Sequence, residues 1–390
     1  MKRYSIPIIP IIFLFYTSCN QPIPNDSLYM GQIPPDNTPK VFNLPVDSGM
    51  SPGERVAISK DGKNIYYTEY KLQGADTILG SKIKCMYFED NTWNGPVQLL
   101  FDSLCGPSLS ISDDTLFAYY SDGRSVKTYY ATKNEAGWSA PEVIFPDKGL
   151  VYYLQQPNKD NFYLTTFSPE LKRVVIAQLS NSPDATVKAL PFPVNSSISG
   201  WDFFMARDES YIIFVHVLER PNRDLFISFK KDDSTWTNPK SLGPSINTPD
   251  WECAVYVSPD EKYLFFVRVY SKAIFWVKID NIIDSLRHTN FSPYLTPSII
   301  SNQTGRVGQL FTYTIPEDAF VDDDGNNTLV YSTTLSNGTD LPSWLSFDAE
   351  TRTFSGIPSA TGSIEVRATV TDTANDTASC EFDIIVQNSI

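Results

Sequence analysis

The feature that most constrains this chain is a unit that recurs along its first three quarters. The copies are VAISKDGKNIYYTEY (56–70), LSISDDTLFAYYSD (109–122), LQQPNKDNFYLTTF (154–167), FMARDESYIIFVHV (204–217) and VYVSPDEKYLFFVRV (255–269). Each reads as a short strand, a polar turn containing Asp, and a second strand of aromatic and β-branched residues. With the turns starting at Ser59, Ser112, Pro157, Ala206 and Ser258, the steps are 53, 45, 49 and 52 residues. A unit of that length cannot bury its own apolar faces. Units of several strands at this period stack as blades around an axis.

The remaining strands of each unit follow. Third strands read KIKCMYFED (82–90), KTYYATK (127–133), RVVIAQL (173–179), DLFISFK (224–230) and AIFWVKI (273–279). A Trp-x-x-Pro-x-x-aliphatic frame then opens the outer strand: Trp93, Pro96 and Leu99; Trp138, Pro141 and Ile144; Trp236, Pro239 and Leu242. In the third unit Asp184 and Val187 replace Trp and Pro, while Leu190 keeps the spacing. The frame reads as packing: the Trp wedges the turn, and the Pro suits an edge where no N–H is needed. The fifth unit has no outer strand after AIFWVKI. VFNL (41–44) has the matching spacing, and an N-terminal strand that completes the last blade leaves no open sheet edge. This gives an all-β, five-bladed β-propeller, with a sixth, degenerate blade left open.

SPDEKYLFF (258–266) and SKDGKNIYY (59–67) come nearest to a Ser-Pro-Asp-Gly turn followed by an aromatic strand. At these residues the chain resembles the WD-repeat-like, TolB-type propeller family, over about residues 40–290. The resemblance implies a fold and a binding scaffold rather than a reaction.

After SPYLTP (292–297) the texture changes to alternating strands and acidic turns, closing a sandwich of about seven strands over 293–390. LPSWLSFD (341–348), TFSGIP (353–358) and VTDTAND (370–376) resemble the dystroglycan-type cadherin-like (Ig-like) domain, with Trp344 and Phe347 as core. That resemblance implies calcium as a cofactor, with Asp322, Asp323, Asp324 and Asp372 as ligands and Asp376 beside them. Calcium needs six to eight oxygens, and a full cadherin ligand set is not visible.

The N-terminus reads as a signal. Lys2 and Arg3 precede the apolar run IPIIPIIFLFY (6–16) and then TSC (17–19). The run is too short to span a bilayer. TSC resembles a lipobox, which implies lipidation of Cys19, a signal peptide at 1–18 and anchoring to a bacterial, expectedly outer, membrane. The segment 19–39 reads as a flexible Pro- and Asn-rich tether. Of the other cysteines, Cys85 and Cys105 are the nearest pair, free to bridge outside the cytoplasm. The net charge of −14 argues against nucleic acid and anionic membrane surfaces as partners. Only His216 and His288 are available for His-based chemistry.

Function must come from sites. The channel mouth of the propeller is expected to carry Glu54 and Arg55, Tyr152 and Tyr153, Trp201 and Asp202, and Trp251 and Glu252. Aromatic and acidic groups at one ring position suit a glycan or a peptide. The expectation is a non-catalytic envelope lipoprotein that binds a glycan, peptide or protein partner. The alternatives are a propeller glycosidase using Glu54, Asp202 and Glu252, and a structural or adhesion spacer.

Overall fold

The computed structural model describes residues 23–389 apart from 74–76, 122–124, 136, 183–185, 197–198, 217–222 and 298–299. Among the described residues, five antiparallel sheets occupy the repeat region, one for each copy of the unit. The first runs outward through Ser51–Ile58, Asn64–Gln73, Thr77–Glu89 and Thr92–Asp102. The second uses Cys105–Leu109, Thr115–Ser121, Val126–Asn134 and Glu142–Val143. The third uses Tyr152–Gln155, Asn161–Ser168, Arg173–Ser180 and Lys188–Ala189, and the fourth Ser199–Met205, Tyr211–His216, Asp224–Phe229 and Lys240–Ser241. The fifth begins with Glu252–Val257, Tyr263–Arg268 and Ala273–Lys278. The innermost strands touch in cyclic order and the fifth touches the first, so the sheets close a ring.

The turn of the unit has a local cause. The Ser59 hydroxyl donates to Asp61 at 2.7 Å and accepts the Asn64 N–H at 2.9 Å. Ser258 does the same with Asp260 and the Tyr263 N–H, at 2.6 and 3.0 Å. In the second sheet the equivalent residue is Ser110, bonded to Asp114 and the Thr115 N–H, at 2.8 and 3.1 Å. The sequence frame that starts this turn at Ser112 is therefore two residues late. A hydroxyl must lie five residues before the N–H it caps, and Ser112 does not.

Ring closure follows the expected route. Lys40–Val41 forms the outer strand of the fifth sheet, pairing Lys40 with Trp276 and Val41 with Phe275. Phe42, 1 % exposed, packs edge-on against Phe265 with ring centres 5.0 Å apart. The described part of the expected tether is not free. Tyr29 is buried against Phe265 and Trp276, the Trp93 indole donates to the Ser27 carbonyl at 2.7 Å, and the Lys278 N–H reaches Asp36. Burying one aromatic ring outweighs the Pro- and Asn-rich composition around it.

Trp236 is 3 % exposed, as packing requires, and the anchors Leu44, Leu190 and Leu242 are buried. Cys85 and Cys105 are both free thiols, on different sheets.

After the ring comes the helix Asp280–His288, then a β-sandwich. One of its sheets orders Gln303–Arg306, Thr377–Gln387, Gly362–Thr371 and Val330–Leu335. The other orders Phe311–Thr314, Thr353–Gly356 and Leu345–Asp348. Phe320, Phe354, Val366 and Ile384 form its centre, while Trp344 and Phe347 pack half-buried at the core's margin. Gly356 is required by space, since a Cβ there would lie 1.8 Å from the Trp344 carbonyl oxygen.

Candidate functional site

Each inner strand is interrupted by a β-bulge near its start, between Gly53 and Ala57, Cys105 and Ser108, Tyr152 and Gln155, Ser199 and Phe203, and Cys253 and Tyr256. A bulge re-aims side chains that regular pleating would send into the sheet. Glu54, Tyr153 and Ala254 adopt left-handed backbone at these places, with φ of 57°, 50° and 54°. Gly53 and Gly106 make room there. A Cβ would sit 2.1 Å from the Tyr70 ring at the first and 2.3 Å from the Tyr119 ring at the second. The repeated bulge thus places one polar or aromatic cluster at the end of the channel where the inner strands begin.

That cluster joins sheets across the channel. The Tyr153 hydroxyl donates to Glu54 Oε2 at 2.6 Å, linking the third sheet to the first. Asp202 of the fourth accepts the Ala254 N–H of the fifth at 2.9 Å. Arg55 is 1 % exposed; its Nη2 donates to the Phe203 carbonyl at 3.0 Å, and its guanidinium lies 4.4 Å over the Tyr153 ring. The Gln155 amide donates to the same carbonyl at 2.9 Å. Arg55 Nε and Nη1 have no hydrogen-bond partner among the described residues. Glu54, Tyr152 and Asp202 stay half-buried; the Tyr152 ring packs on Tyr119 and Tyr153, with ring centres 4.4 and 4.5 Å away, and its hydroxyl donates to the Tyr119 hydroxyl at 3.1 Å.

The charges in this cluster act on one another. Burial pushes the Asp202 carboxyl up to about 6; the Glu54 charge adds to this, while the Ala254 N–H, Arg55 and Arg223 oppose it. Burial lowers Arg55, partly offset by Tyr153 and Asp202. Burial also lifts the hydroxyls of Tyr152 and Tyr153 far out of the physiological range.

The other expected mouth residues fall elsewhere. Glu252 is fully buried; it bonds Thr248 Oγ1 at 2.6 Å and pairs with Arg268 at 3.2 Å. Buried between those partners, it braces the fifth sheet and cannot meet a ligand as expected. Trp251 is half-buried, with the Arg223 guanidinium 4.6 Å over its ring and Tyr270 5.4 Å away. Asp250 holds this corner by accepting the N–H groups of Trp251, Tyr270 and Ser271. Trp201 lies on the inner strand of the fourth sheet, and its side chain is outside the described set. Arg223, Tyr270 and Gln155 escape a sequence reading because they stand in positions with no common frame.

Residues 293–387 match the family model He_PIG, described as "Putative Ig domain". No curated protein matches the chain. Solved structures similar to it include TolB from Acinetobacter baumannii, at 16 % identity and TM-score 0.40, covering 57 % of this chain and 53 % of that one. The chain thus spans about half the length of that TolB structure. Another is a complex of BT0996 and RGII, at 14 % identity and TM-score 0.42, covering 62 % of this protein and 91 % of that one. A third is the Pseudomonas aeruginosa periplasmic gluconolactonase PpgL, at 10 % identity and TM-score 0.36, covering 84 % and 85 %.

The acidic loops of the Ig domain gather at its junction with the propeller. Asp323 accepts from Lys231 at 2.9 Å and from the Asn238 N–H at 2.5 Å. Asp324 accepts the Phe291 N–H at 2.5 Å. Asp372 and Asp376 share the Asn290 amide at 2.9 and 3.0 Å. Among the described residues no three acidic, His or Cys side chains gather as a metal centre. One signal stands against that: Asp322 is 4 % exposed and its Oδ2 has no hydrogen-bond partner among the described residues. Its carboxyl is raised by burial and by the charges of Asp324, Asp372 and Asp323.

Proposed function

We propose that this protein is a non-catalytic binding protein of the cell envelope that takes a glycan, peptide or protein partner at the channel end where the inner strands begin. The observation that carries this is the convergence of Glu54, Asp202 and Tyr152 from three sheets, half-buried, at one end of a closed ring. Carboxylates accept from ligand hydroxyl or amide donors, and aromatic faces pack against apolar ligand surface. The signal-like residues 2–18 and Cys19, which lie outside the described residues, support the envelope placement. The test is a glycan and peptide array probed with the full chain and with Glu54→Gln/Asp202→Asn. Ligands lost by the double variant support the site; ligands retained by it place binding elsewhere.

Glycoside hydrolysis is the second reading. It is favoured by one feature, a carboxyl held near 6 beside a second carboxylate, the pattern of an acid and its partner. Turnover of any arrayed glycan, lost in both single variants, promotes this reading over simple binding.

Calcium belongs to the Ig domain in this proposal, with Asp322 as its centre and Asp324 and Asp372 beside it, because a buried carboxylate oxygen without a donor calls for a cation. Millimolar calcium is expected to raise the melting temperature of the chain, and Asp322→Asn to abolish the shift. An equal shift in both proteins removes the site.

A further inference from the structure

A second opening lies at the far end of the channel, where the inner strands run into the repeat turns. It is separated from the first by the layer in which Arg55 and Gln155 meet at the Phe203 carbonyl. Its cavity of about 50 Å³ is walled by Leu109, Ile111 and Phe204 and carries the polar groups of Asp113, Gln156 and Arg207. That volume holds a group of a few heavy atoms, the end of a ligand rather than the whole of one.

Arg207 is the unusual member. It makes no hydrogen bond or ion pair with any described residue, in a chain with 45 acidic against 31 basic side chains. Asp113, in the same cavity, feels its charge but does not pair with it; its Oδ2 instead accepts the Lys60 N–H at 2.5 Å. The backbone bonds that close the turns, Ser59 N–H to Asn64, Ser110 N–H to Thr115, Ala206 N–H to Tyr211 and Ser258 N–H to Tyr263, put Arg207 at the turn position held by Lys60, Ile111 and Pro259. The repeat uses apolar residues there in two other sheets, so fold closure does not require a guanidinium. A half-buried guanidinium with its donors free, set among apolar walls, matches a carboxylate on an apolar stem.

We propose that this opening is a second binding site, which takes a carboxylate carried on a short apolar stem, with Arg207 as its anion anchor and Leu109, Ile111 and Phe204 as the stem's walls. The carboxylate can belong to a peptide C-terminus or to a free short-chain acid.

The test is titration calorimetry of the full chain with acetyl-leucine, its amide and hexanoate. Acetyl-leucine is expected to bind saturably and its amide roughly tenfold more weakly or worse, as the loss of charge-assisted bonds implies. Arg207→Met keeps the side-chain bulk and is expected to lose acid binding to the same extent, while Arg207→Lys restores part of it. Asp113→Asn is expected to bind the acid as well or better. Preference for acetyl-leucine over hexanoate assigns the site to peptide ends, and the reverse assigns it to free acids. The proposal is overturned if acid and amide bind alike, if Arg207→Met keeps the acid affinity while melting like the parent, or if no saturable binding occurs up to tens of millimolar.

Discussion

At the scale of single residues, the repeat shows where its consensus has eroded. The fourth turn position is Gly62 in the first sheet, but Asp113, Glu209 and Glu261 in the second, fourth and fifth, all left-handed at φ of 59–60°. Left-handed backbone costs an L-residue roughly 1–2 kcal/mol, part of which glycine gives back through its looser unfolded chain. Glu261→Gly is therefore expected to stabilise the protein by about 0.5–1 kcal/mol in urea melts; destabilisation would mean the Glu261 side chain does more than occupy a turn. Asp202 supplies a pH test. An acid whose folded pKa is raised binds its proton more tightly when folded, so its contribution is present below its ordinary 3.8 and is lost as pH rises through about 6. Glu54, Arg55, Arg223 and the Ala254 N–H face it and are the same in both proteins. Asp202→Asn is expected to gain melting temperature relative to the parent between pH 4 and pH 7; a difference that is flat with pH would show that Asp202 is not held protonated.

At the scale of elements, closure depends on a two-residue strand, and the neighbouring aromatic rings make so short a strand sufficient. Phe42 and Tyr29 both pack on Phe265 and Trp276. Phe42→Ala is expected to cost about 3–5 kcal/mol, the usual loss for a buried aromatic side chain. Ile33→Ala, in the same N-terminal stretch but 82 % exposed, is expected to stay within about 0.5 kcal/mol. Similar losses in the two variants, read by chemical denaturation, would mean that the N-terminal segment is held by something other than its aromatic contacts.

At the scale of the whole molecule, the junction of propeller and Ig domain is polar and specific. The Asp323 side chain is fully buried between Lys231 and the Asn238 N–H. Lys240 lies 3.1 Å over the Phe291 ring and donates to the Leu286 and Thr289 carbonyls. Asp323→Ala leaves Lys231 without its carboxylate and is expected to weaken the junction by about 2 kcal/mol. The measurement is limited proteolysis across 289–293, which should accelerate while each domain stays folded. An unchanged cleavage rate would mean that the junction is held mainly by Lys240 and Asn290.

The architecture was legible from local pattern alone. A strand–turn–strand unit that cannot bury its own faces must stack, and VFNL lay at the spacing needed to finish the last sheet. The sandwich was equally legible, because alternation along LPSWLSFD and TFSGIP is local. Local pattern failed where partners come from far along the chain. Glu252 and Asp202 look alike in sequence, each an acid beside a Trp. Yet Arg268 and Thr248 enclose the first, while the second is left facing Glu54 from another sheet. Residues 23–39 read as a tether until Tyr29 meets Phe265 and Trp276, more than two hundred residues away. Composition and periodicity record what a residue needs. Only the closed ring sets which distant groups are near enough to supply it, and so which polar side chains are left facing the channel.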